Sequence, residues 1–128
     1  MKYKRAINAY RAVLEDAEQY KEHPENSDVI ARRAAAKAEA HKGPMHRVLE
    51  DLGTFLRLVR AWSKGEYRLI PWRSMAMVIG AVLYFLSPLD AIPDFIPVIG
   101  FVDDAFIITF VLRAIRRDVQ NFREWESV

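Results

Sequence analysis

A chain of 128 residues with net charge +2 and 52% hydrophobic residues has the size of one domain, able to bury roughly two-thirds of its unfolded surface. It has no cysteine, which excludes disulfide frameworks, thiol catalysis and cysteine-ligated zinc. Its charge is uneven: residues 74–112 hold four acids and no base, with Arg68 and Arg73 before them and Arg113, Arg116 and Arg117 after. That pattern excludes a uniform basic surface for nucleic acid.

The opening, MKYKRAINAYRAVLED, lacks the uninterrupted apolar core of a secretory signal, so the expectation is a chain that begins in the cytosol. Tyr3, Ile7, Tyr10, Leu14 and Ala17 form one apolar stripe on a predicted helix of about twenty residues, ended by Pro24 and the polar run 23–28. A second helix is predicted from Ser27 or Asp28 as N-cap to Lys42, with Gly43 as its stop. Its core, ARRAAAKAEA, favours helix but offers little bulky apolar surface, so it suits close packing on a neighbour. Residues 1–43 thus read as a helical hairpin appended to a domain of residues 44–128.

Pro44 opens a third helix whose positions Met45, Val48, Leu49, Leu52, Phe55, Leu56, Val59 and Trp62 form an amphipathic stripe, stopped by Gly65. Pro71 starts a fourth, in which Ser74 is the only polar side chain before MAMVIGAVLYFL. A helix apolar all round is buried in protein or in lipid. Its run of about 20 Å is short against a hydrocarbon core of about 30 Å, so it does not span alone. Paired with the next apolar run it could dip into one leaflet, and its lack of any wet face favours lipid contact; the other reading is the centre of a soluble bundle.

Asp103 and Asp104 are expected to begin a fifth helix, with the stripe Ile108, Leu112, Ile115, Val119 and Phe122 and a second row at Ile107, Val111 and Ala114. No segment alternates as a strand would. The fold class is all-α, about five helices.

The stretch YFLSPLDAIPDFIPVIGFVDD joins the last two helices and carries four aspartates among apolar residues. Acids in such surroundings must be capped, paired, metal-bound or wet. Ser87-Pro88-Leu89-Asp90 has the form of a capping box, and Pro93 forbids that turn from continuing. Asp94 follows in turn geometry, while Asp103 and Asp104 would meet a helix dipole that favours negative charge. On this reading the acids are caps or partners of Arg73 and Arg113. The sharper alternative is a divalent-cation site, Mg²⁺ or Ca²⁺, converging Asp90 or Asp94 with Asp103 or Asp104. Adjacent helical residues point about 100° apart, so the last two could not both aim at one ion. His23, His41 and His46 show no metal-ligand spacing and read as surface residues. Trp62 reads as core, and Trp72, between Pro71 and Arg73, as the better interfacial aromatic.

At Tyr84, Ser87, Pro88, Asp90, Pro93, Asp94, Pro97, Gly100, Asp103 and Asp104 the sequence resembles the YkvA-like domain, a bacterial domain of unknown function. The resemblance covers roughly residues 66–117. It implies an all-helical domain associated with membranes and brings no reaction, cofactor or substrate.

Together these readings describe a non-enzymatic helical protein at the cytoplasmic side of a bacterial inner membrane, using its Pro/Asp loop for docking or structural register. Its partner would be a membrane surface or another protein, and no cofactor is expected. The alternative is a soluble, cytoplasmic helical protein with a carboxylate metal site. A third reading is an oligomeric scaffold in which the stripe of residues 3–17 pairs between chains.

Overall fold

The computed structural model describes residues 2–39, 46–86 and 97–128. Among the described residues all regular structure is helical: α1 (Lys2–Ala17), a single turn α2 (Gln19–Glu22), a 3₁₀ turn (Pro24–Asn26), α3 (Ser27–Glu39), α4 (His46–Ser63), α5 (Trp72–Leu86), α6 (Pro97–Ala114) and α7 (Arg116–Glu126). The fold is all-α, as the periodicities predict.

Helix α5 occupies the centre because nothing on it tolerates water. Nine of its fifteen residues are buried, among them Met75, Val78, Ile79, Val82 and Phe85, and of its side chains only Arg73 is exposed. Helices α1, α3, α4 and α6 all pack against it. The lipid-facing reading of MAMVIGAVLYFL therefore gives way to the bundle reading. Hydropathy cannot separate the two, because both require a helix without a wet face.

Each neighbour covers α5 with the stripe its sequence encodes. Tyr10 and Ala17 of α1 are buried, with Ile7, Val13 and Leu14 half-buried beside them. Within the chain, the described part of that stripe packs on α5. In α3 the small residues Ala31 and Ala34 are fully covered, which lets its backbone approach α4 and α5 closely. Helix α4 buries Leu52, Phe55, Leu56, Val59 and Trp62 as expected, and adds Leu58 and Ala61. Packing thus continues on both sides of residue 43, and one apolar cluster runs from Tyr10 to Phe122.

Helix ends follow local chemistry. Gly65, at φ +78°, closes α4: its N–H reaches the Trp62 carbonyl at 3.1 Å and that of Glu66 reaches Ala61 at 2.9 Å, the paired bonds of a Schellman cap. The first predicted helix is interrupted at Glu18, whose N–H bonds the Glu15 carbonyl three residues back at 3.3 Å. Ser27 is not the N-cap expected of it. Its hydroxyl donates backward to the Pro24 carbonyl at 2.6 Å, while Asp28 is held between Arg32 at 2.8 Å and Arg60 of α4 at 3.4 Å.

Two further boundaries depart from expectation. The helix expected to begin at Asp103 starts at Pro97, whose fixed φ and missing N–H suit a first helical position. Its continuation breaks at Ile115 (φ −117°, ψ 30°), yet Ile108, Ile115, Val119 and Phe122 are buried in one row across the break.

The tightest contact on α5 is at Gly80, where an added Cβ would lie 2.7 Å from Leu14 Cδ2 and 3.2 Å from Tyr10 Cε1. Gly80→Ala should therefore lower stability by about 1 kcal/mol, the over-packing outweighing the gain in helix propensity. In a Leu14→Ala background the same change should lose that penalty. A double-mutant cycle by urea denaturation checks this; additive effects would mean that α1 does not press on α5 there.

Candidate functional site

The expected site lies where α5 leaves the core and α6 begins. Tyr84, the first motif residue, is buried in the last turn of α5, its ring edge-on to Tyr10 with centroids 6.5 Å apart. One residue on, the Phe85 carbonyl accepts a hydrogen bond from Lys37 Nζ of α3, and the same ammonium lies 4.5 Å from the Phe85 ring centroid. A helix ends with carbonyls that lack intrahelical partners, and a lysine placed there meets both the carbonyl and the negative end of the dipole. The end of α5 is thus anchored to α3.

Ser87, Pro88, Asp90, Pro93 and Asp94 lie outside the described residues. Pro97 opens α6 and Gly100 lies within its first turn. Asp103 and Asp104 follow in the second turn rather than at the N-terminus, since the first turn of α6 contains no acid. Among the described residues no group of three histidines, cysteines or acids could hold a metal ion.

Polar side chains that the sequence reading passed over fix α5 at two further points. Tyr10 donates its hydroxyl to the Met77 carbonyl at 2.7 Å, and Ser74 donates to Asp118 Oδ2 of α7 at 2.5 Å. Ser74 is thereby explained: a buried hydroxyl that has found a partner. The sequence offered no signal for these pairs, because their members are 67 and 44 positions apart. Trp72, expected at an interface, is half-buried and tilted against Trp62 at 5.8 Å, with Lys21 over its ring at 5.9 Å. Its indole N–H points to Glu18 Oε1 at 3.4 Å.

The arginines flanking the apolar pair divide by surroundings. Arg68 stacks over Trp62 at 5.3 Å. Arg113, Arg116 and Arg117 are exposed, and among the described residues no carboxylate lies within ion-pair distance of them. Arg113 and Arg116 line a groove of about 600 Å³ together with Gln120 and Arg123.

Burial pushes the Tyr10 hydroxyl well above its ordinary pKa of 10.0. Tyr20 and Tyr67 are raised too, by burial first and then by Asp16 and Asp118 respectively. The folded chain keeps these protons where the unfolded chain gives them up. Their contribution is whole below about pH 10 and is lost as pH climbs toward the folded values. Thermal stability should fall above about pH 10, and Tyr10→Phe should flatten that fall. An equal alkaline slope in parent and variant would show that Tyr10 is not held neutral by the fold.

Residues 74–110, which include most of α5 and most of α6, match the family model described as "Protein of unknown function (DUF1232)". The chain is 28% identical over 97 residues to the "Uncharacterized membrane protein YkvA" of Bacillus subtilis (strain 168), covering 76% of this chain and 92% of that protein. No solved structure matches it. No described helix is long and apolar enough to cross a membrane. The resemblance read from the Tyr/Ser-Pro/Asp/Pro motif thus falls on the stretch that the family model matches, and the chain is similar to YkvA over most of its length.

Proposed function

We propose that this chain is a non-enzymatic helical protein that attaches to the cytoplasmic surface of a membrane without entering it deeply. The observation that carries this reading is a conjunction at α5. The apolar helix that could have entered lipid is clad by α1, α3, α4 and α6, while a relative matched over 92% of its length is named a membrane protein. Contact then runs through the outer surface, where unpaired arginines suit the anionic lipid of a cytoplasmic leaflet. Within this reading the Pro/Asp loop sets the register between α5 and α6, and the Ser87-Pro88-Leu89-Asp90 pattern supports a capped turn.

Cell fractionation tests the attachment. The protein should sediment with membranes at low salt and be released by a carbonate wash. Retention after carbonate would mean deep insertion, and recovery wholly in the soluble fraction would end the membrane reading. The loop is tested separately. Asp90→Asn should cost little and Asp90→Ala about 1 kcal/mol, because asparagine also caps. A gain in melting temperature with Mg²⁺ or Ca²⁺, lost in Asp90→Asn, would overturn the structural role in favour of a cation site.

A further inference from the structure

The groove on α6 and α7 is lined by three arginines. Arg113, Arg116, Gln120 and Arg123 follow one another at helical spacing and line it, over an apolar floor of Leu112 and Val119. At about 600 Å³ it lies in the range of small-ligand clefts. No acid lines it. Two acids of α7 are engaged elsewhere, Asp118 by Ser74 at 2.5 Å and Glu126 by Arg57 at 2.8 Å. Arg123 is steadied from the α4 side, its Nη2 donating to the buried Thr54 Oγ1 at 3.3 Å.

Arg113 and Arg123 lie in the last turns of α6 and α7, where the dipole favours positive charge. Of the groove's arginines, Arg116 occupies the first turn of α7, where the dipole disfavours positive charge. Like charges gathered without counter-charges also repel. Three arginines on one groove, with Arg113 and Arg116 exposed and unpaired among the described residues, suit an anion with several oxygens, since arginine matches phosphate geometry with two parallel bonds.

We propose that this groove binds the phosphate headgroup of an anionic membrane lipid, the arginines gripping the phosphate while Leu112 and Val119 meet the apolar part below it. The proposal rests on the membrane-surface reading above and names the residues through which it acts.

The test is co-sedimentation of the full chain with vesicles of phosphatidylglycerol and phosphatidylcholine, against vesicles of phosphatidylcholine alone. The parent should bind only the anionic vesicles, and more weakly as salt rises. Arg113→Gln/Arg116→Gln should lower that affinity by at least about tenfold, from the loss of two surface cations. Its melting temperature should not fall, because both side chains are exposed and unpaired. Arg11→Gln/Arg73→Gln, which removes the same charge from another face, should bind as the parent does. Equal losses in the two double variants would reduce the effect to net charge and overturn the groove. Undiminished binding by Arg113→Gln/Arg116→Gln would overturn it too, while leaving membrane attachment intact. A parent that binds no vesicle would overturn both readings. Displacement by inorganic phosphate at matched ionic strength would assign the groove to free phosphate, and retention of duplex DNA in place of vesicles would assign it to nucleic acid; either defeats the lipid proposal.

Discussion

Every part of this molecule answers to the need to keep α5 dry. Its fifteen residues include one exposed side chain, Arg73, at its first turn. Each large side chain taken fully from water contributes roughly 1.5–3 kcal/mol, but only if neighbours cover it on all sides. Four helices supply that cover, each with a different stripe. α3 does so with alanines, which gives close approach rather than apolar bulk, and α4 does so with Phe55, Leu58 and Val59. Gly80 marks the closest approach of α1 among the glycine positions, where an added methyl group would have to displace the Leu14 side chain.

A helix clad only by apolar contact could slide or rotate with small loss. Polar bonds at separated points remove that freedom. Ser74 is tied to Asp118, the Met77 carbonyl to Tyr10 and the Phe85 carbonyl to Lys37, so α7, α1 and α3 each fix one level of α5. Such bonds add little net stability, yet breaking one leaves a buried group unsatisfied at a cost of about 1–3 kcal/mol. They act on register more than on total stability. Helix α5 ends at Leu86, one residue beyond the last of these ties.

The same constraint reshapes the membrane question. A central helix in a bundle and a helix in lipid satisfy the same condition, the absence of a wet face. Once protein satisfies it, attachment falls to the outer surface. There the charge asymmetry acquires geometry, since the apolar, base-free stretch of residues 74–112 is followed at once by arginines on the exposed side of α6 and α7. Charge works there at longer range than apolar contact and weakens with salt.

The sequence by itself determined the helices and most of their buried faces. The stripes at Tyr10 and Ala17, at Leu52 to Trp62 and at Ile108 to Phe122 are periodic, and periodicity is local information. The motif was legible for the same reason, as fixed residue types at fixed spacing. Tertiary structure alone decided what covers α5, because hydropathy states that a residue avoids water and not what replaces the water. It also decided where α6 starts, which moved Asp103 and Asp104 from the helix end into the second turn, since Pro97 and an apolar run can open a helix as well as a pair of acids can. The partnerships of Ser74, Tyr10 and Lys37 join residues 44 to 67 positions apart. Contacts at that separation are set by how helices dock, which no local pattern records.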